Sequence, residues 1–110
     1  MSDVYGVVYE AHDKYTNKKY IGQTTNFKKR IKNHKDKSKG KGYKSYFNLV
    51  ANKRWDFIKW RIIGECYSQK ELDLSEIECI SFYKSNDKLY GYNIKNGGGW
   101  RRKAFGYNKK

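Results

Sequence analysis

The sequence predicts a small α/β domain, a three-stranded antiparallel sheet flanked by helices in the order ββααβα. Three observations lead there. The chain has 110 residues, enough for one domain with a modest core, so one sheet and a few helices is a reasonable ceiling. Short runs rich in β-branched and aromatic residues alternate with segments whose apolar residues recur at helical spacing. Ser68-Gln69-Lys70-Glu71 has the form of a capping box, which announces a helix after the last strand.

Val4 to Ala11 reads as the first strand and Lys18 to Gly22 as the second. The polar stretch His12-Asp13-Lys14-Tyr15-Thr16-Asn17 between them reads as a hairpin loop. If the hairpin closes symmetrically about Lys14-Tyr15, Tyr9 stands opposite Tyr20 and Val7 opposite Gly22. Thr25 or Asn26 caps a helix to about Asp36, with Phe27, Ile31 and His34 at helical spacing. Ser38 to Tyr43, with Lys39-Gly40-Lys41-Gly42, reads as a loop, and Tyr46 to Lys53 as a short helix. Phe57 to Glu65 is the third strand. The last helix runs from the Ser68 cap to about Lys84. Gly91-Tyr92-Asn93 and Gly97-Gly98-Gly99 mark turns. The division expected is a folded domain over 1–99 and a basic tail over 100–110, the tail holding Arg101, Arg102, Lys103, Lys109 and Lys110 and no acid.

Twenty-five Lys and Arg face eleven Asp and Glu, a net charge of +14. Such an imbalance attracts polyanions, nucleic acid first among them. A Lys-rich, Asn-rich, Tyr-rich chain without proline also suits an AT-rich genome, such as that of a phage, mobile element or low-GC host. No stretch approaches 18 apolar residues, so no membrane span is expected, and the N-terminus lacks the form of a secretion signal. Cys66 and Cys79 form no CxxC and have no nearby histidine. They read as buried thiols of an intracellular, reducing compartment rather than zinc ligands.

Three features could carry chemistry. The hairpin places the phenols of Tyr9 and Tyr20 on one face, which alone could be an ordinary aromatic pair. Arg30 and His34, four apart on the first helix, share a face among Lys28, Lys29, Lys32 and Lys35. Arg30 suits a phosphate clamp and His34 a proton shuttle, or both belong to a solvated basic helix. Glu78 falls beside the Leu74, Ile77 and Phe82 face of the last helix, where it could hold a hard cation or pair with a lysine.

These residues resemble the GIY-YIG nuclease family from about Tyr5 to Asn93. Tyr20-Ile21-Gly22 is the second signature tripeptide intact, and Val7-Val8-Tyr9 takes the place of the first, with Val7 where glycine is usual. Phe27, Arg30, His34, Glu78 and Asn93 follow at the family's spacing. The resemblance implies a metal-dependent DNA endonuclease whose site comprises Tyr9, Tyr20, Arg30, His34, Glu78 and Asn93. Glu78 would hold one divalent cation, Mg²⁺ or Mn²⁺. Tyr9 or Tyr20 would activate water, Arg30 would stabilise the phosphate, and His34 would assist proton transfer. Asn93 would hold the architecture. Lys28, Lys29, Lys32, Lys35, Lys39, Lys41, Arg101 and Arg102 are the candidates for backbone phosphate contacts, which position DNA without reading sequence. Low intrinsic specificity is therefore expected, with a separate DNA-recognition domain or partner supplying selection. One site cuts one strand, so duplex cleavage requires a transient dimer or two successive nicks. The alternative is a non-catalytic basic nucleic-acid-binding module, which explains the charge but not the spacing.

Overall fold

The computed structural model describes residues 3–39 and 46–93. Strands β1 (Gly6–Asp13) and β2 (Lys18–Thr24) form an antiparallel hairpin. Asp13 closes it. Its carboxylate accepts the N–H groups of Tyr15 (2.9 Å) and Thr16 (3.4 Å), and its carbonyl accepts that of Asn17 (2.7 Å). Asn17 takes the left-handed conformation, φ 65°, which asparagine tolerates better than most residues. This four-residue turn draws His12 and Asp13 into the strand and moves the hairpin centre one residue along. Tyr9 therefore pairs with Gly22, and Tyr20 with Ala11, correcting the expected Tyr9–Tyr20 pairing.

Helices α1 (Phe27–Lys39) and α2 (Tyr46–Arg54) come next. Asn26 caps α1, its Oδ1 accepting the N–H of Lys29 at 3.1 Å. A 3-10 turn (Trp55–Phe57) leads into β3 (Ile58–Cys66), and α3 (Gln69–Tyr83) completes the ββααβα order. The Ser68 cap forms, its Oγ accepting the Glu71 N–H at 3.1 Å, while the Glu71 carboxylate reaches one residue past the cap, to the N–H of Tyr67 at 2.9 Å. Lys84, at φ 56°, ends α3 in a left-handed C-cap.

The sheet order is β2-β1-β3, all antiparallel. Central β1 is covered on both faces, so its buried residues run consecutively from Val8 to Ala11. A bulge opposite Val8 and Tyr9 leaves Ile63 extra on β3. One face packs Ala11, Ile58 and Trp60 against Phe47 and Ala51 of α2. The other packs Val8, Ile21 and Cys66 against Leu72 and Ile80 of α3. Both cysteines are free, Cys66 buried and Cys79 partly so. Among the described residues, no helix is long and apolar enough to cross a membrane.

After α3 the chain returns to the outer edge of β2. The Lys19 N–H donates to the Tyr90 carbonyl (3.1 Å) and the Tyr92 N–H to the Lys19 carbonyl (2.9 Å), a short parallel bridge. A methyl at Gly91 would fall on the Ser85 backbone, so only glycine allows this return. The Tyr92 hydroxyl donates to the fully buried Asp13 carboxylate at 2.6 Å, and Arg54 bridges the same oxygen at 3.0 Å. Burial pushes the Asp13 carboxyl up, but the bonds from Tyr92, Arg54 and the turn win and hold it below the usual aspartate value. On the opposite face Glu10 is likewise buried, and Arg61 and Lys19, each at 2.8 Å, hold its pKa down against desolvation.

Candidate active site

The site grows from Tyr9. Being central in β1, its side chain is fully buried on the α1 and α2 face. Its hydroxyl shares a hydrogen bond with His34 Nε2 (2.8 Å) and receives one from Arg30 Nε (3.2 Å). Arg30 and His34, one turn apart on α1, thus converge on a single phenol oxygen. The room comes from Gly22: a methyl there would overlap the Tyr9 hydroxyl and the ring carbon that bears it. The glycine of Tyr20-Ile21-Gly22 is the hole that the other tyrosine occupies.

Tyr20 lies on the same face two residues earlier, its ring 6.4 Å from that of Tyr9. It stacks on Phe47 of α2 at 4.5 Å and 12°, while His34 meets it edge-on at 5.6 Å. His34 is buried, with Phe47 at 5.3 Å and Trp60 at 5.5 Å against its ring. No motif marks Phe47 and Trp60 as the walls that orient the tyrosine and histidine rings.

Burial raises the pKa of both phenols above the ordinary tyrosine value. The Glu76 carboxylate raises both further, and Tyr20 adds to the rise at Tyr9. Arg30 opposes the rise at each. Burial works against the Arg30 charge too, but the two phenol oxygens outweigh it, so the guanidinium stays protonated. The site is therefore a neutral phenol pair beside a fixed cation.

The carboxylate on the inward face of α3 is Glu76, not Glu78. Glu78 is exposed on α3. Two residues make about 200° of helix, so the neighbours face opposite ways. Glu76 is 8% exposed, in register with the buried Leu72 and Ile80, whereas Leu74 and Phe82, expected to mark the core face, are 52% and 79% exposed. Treating those two as buried turns the helix by half and picks the carboxylate that the fold leaves in solvent. Glu76 Oε1 accepts from Gln23 Nε2 at 2.8 Å, a contact that no motif signalled.

The side chain of Asn93 works on main chain. Its Oδ1 accepts the Ile21 N–H and its Nδ2 donates to the Ile21 carbonyl, both at 2.8 Å. The amide acts as one residue of an extra strand, clamping β2 between Tyr20 and Gly22. Lys28, Lys29, Lys32 and Lys35 are exposed on α1, and Lys32 pairs with Asp36 at 3.2 Å. The side chain of Lys39, together with Lys41, the Gly97-Gly98-Gly99 turn, Arg101, Arg102 and the rest of the tail, lies outside the described residues.

Among the described residues, no group of three or more His, Cys, Asp or Glu side chains could cage a metal. The one buried carboxylate of α3, Glu76, fits a cation that keeps much of its water and takes its remaining ligands from substrate. That is the habit of Mg²⁺ at phosphates.

Two phenols, a guanidinium and an imidazole gathered in one place are groups suited to phosphodiester chemistry. The chain belongs to the GIY-YIG family, whose catalytic domain matches residues 5–93, and it is a nuclease, a phosphodiester hydrolase. Two solved structures are similar to it. A glutamate-to-alanine mutant of the catalytic domain of intron endonuclease I-TevI superposes with a TM-score of 0.71 at 26% identity, over 84% of this chain and 95% of that one. The catalytic domain of homing endonuclease I-TevI superposes with a TM-score of 0.68 at 28% identity, over 82% and 98%. No curated protein sequence matches the chain.

Proposed function

We propose that the chain is a metal-dependent DNA endonuclease with little sequence preference of its own. The observation that carries this reading is the convergence of Arg30 and His34 on the Tyr9 hydroxyl. A structural aromatic pair needs no half-buried guanidinium on its hydroxyl.

Glu76 would hold one divalent cation, Mg²⁺ or Mn²⁺. Bound there, the cation supplies Lewis-acid stabilisation of charge on the scissile phosphate. Arg30 donates to that phosphate from the opposite sign of charge, as a planar fork suited to two oxygens. Tyr20, partly exposed, is the phenol that can meet the attacking water; Tyr9, bonded to His34, is fully buried, and His34 receives or relays the proton. Both phenols are neutral at rest. Asn93 contributes by holding β2, not by touching substrate. The products carry 5′-phosphate and 3′-hydroxyl ends.

The exposed lysines of α1 line up with backbone phosphates and give affinity without base reading. Target choice then falls to another domain or partner, and duplex cleavage to a transient dimer or two nicks. The action is intracellular, where DNA is met. The test is supercoiled plasmid with Mg²⁺ or with chelator. Nicking that needs metal and vanishes in Glu76→Gln and Tyr9→Phe supports the enzyme. Salt-sensitive binding with no cleavage under any metal sinks it in favour of a binding module.

A further inference from the structure

We infer that Gln23 is a positioning residue that aims the Glu76 carboxylate at the cation, through an amide network that begins at Tyr5. The inference rests on the reading of Glu76 as the cation's ligand. Gln23 follows Gly22 on β2, so its side chain emerges on the α3 face. Its Nε2 donates to Glu76 Oε1 at 2.8 Å and to Asp73 Oδ1 at 2.9 Å. An amide nitrogen has two hydrogens, and both are committed. Gln69 Nε2 in turn donates to Gln23 Oε1 (2.9 Å) and to Asp73 Oδ1 (2.7 Å), and Gln69 Oε1 accepts the Tyr5 hydroxyl (2.9 Å).

The network admits one orientation. Reversing the Gln23 amide would aim its carbonyl at two carboxylates and its NH₂ at the NH₂ of Gln69, losing three bonds at once. Asp73 and Glu76 are three apart on α3 and meet at one nitrogen. That donor sits between two like charges and eases their repulsion. A neutral amide suits the task chemically. A lysine or arginine at position 23 could also hold Glu76, but it would neutralise the charge that a hard cation needs. Partners of this kind, one step out from a metal, typically govern its affinity about 10- to 100-fold.

The test compares the parent chain with Gln23→Ala, Gln69→Ala and Glu76→Gln. Mn²⁺ binding is read by electron paramagnetic resonance in the presence of an uncleavable duplex, and plasmid nicking is titrated with Mg²⁺. Gln23→Ala should weaken Mn²⁺ binding and raise the Mg²⁺ midpoint about 10- to 100-fold, with saturating Mg²⁺ restoring most of the rate. Gln69→Ala should shift both the same way by less, and DNA affinity in chelator should not change. Unaltered Mn²⁺ affinity in a Gln23→Ala protein that melts like the parent overturns the inference. So does a rate loss that Mg²⁺ cannot restore while Mn²⁺ binding stays intact. If Gln23→Ala fails to fold, Gln69→Ala carries the same two outcomes. Mn²⁺ binding that survives Glu76→Gln defeats the reading of Glu76 itself. Binding lost in Glu76→Gln but unmoved in Gln23→Ala defeats only the positioning role.

Discussion

Replacing Asn93 by alanine separates a residue that holds the site from one that does chemistry in it. The side chain makes two hydrogen bonds of 2.8 Å, to the N–H and the carbonyl of Ile21, a residue with no solvent exposure. Each such bond contributes about 1 kcal/mol net, and a buried backbone group left unpaired costs about 1–3 kcal/mol. Asn93 itself is only partly buried, so water can reach part of the gap. The lower end applies, about 2 kcal/mol for the pair. In a domain of this size each kcal/mol moves Tm by about 4–8 °C, so the melt should fall by about 8–16 °C. Urea unfolding followed by tryptophan fluorescence gives the free energy, and nicking at a temperature where the variant stays folded gives the rate. Asn93→Asp should be at least as damaging, because it keeps the acceptor but sets a carboxylate against the Ile21 carbonyl. An Asn93→Ala protein within about 0.5 kcal/mol of the parent that has nonetheless lost cleavage would refute the reasoning, and would put the amide on the substrate.

Gly22→Ala should abolish cleavage and lower stability by about 1–3 kcal/mol, the usual range for overpacking, because the new methyl must displace the buried Tyr9 ring; calorimetry and plasmid nicking check both. Glu78→Gln should nick plasmid at the parent rate while Glu76→Gln is inactive, and the reverse result would restore the exposed acid to the site. Asp13 has a folded pKa below its unfolded value. Its ionisation therefore stabilises the fold above about pH 4, and that contribution is lost as pH falls through the lower folded value. Asp13→Asn should be less stable at pH 7 and show a flatter acid limb in pH-dependent melts. Both phenols titrate above the ordinary tyrosine range, so a rate that needs a phenolate should keep rising with pH from 6 to 9 in single-turnover cleavage; a plateau in that window would leave the proton with His34 and not with a phenol.

Much of this was readable in the chain. Alternation, the Ser68 capping box and the glycine turns were enough for the element order, because each is a local signal. Tyr9, Tyr20, Arg30 and His34 were found together for a similar reason: a hairpin face and one helical turn are short-range geometry. Local signals mislead where a choice depends on packing. Leu74 and Phe82 look like core residues, and only the seating of α3 on β1 and β2 reveals that Leu72, Glu76 and Ile80 face inward. The hairpin register depended on the Asp13 side chain capturing two N–H groups, which shifted Tyr9 from Tyr20 to Gly22. Gln23, Phe47 and Trp60 touch site residues only through tertiary contacts, so no spacing rule could have flagged them.

The fit of the Tyr9 hydroxyl into the space above Gly22 has a thermodynamic corollary. Ordering an aromatic side chain for reaction normally removes rotational freedom at the moment substrate arrives, which erodes binding. Here the ring is wedged against main chain as soon as the hairpin closes. That loss of entropy is incurred once, during folding, so the phenol is already immobilised before any ligand arrives.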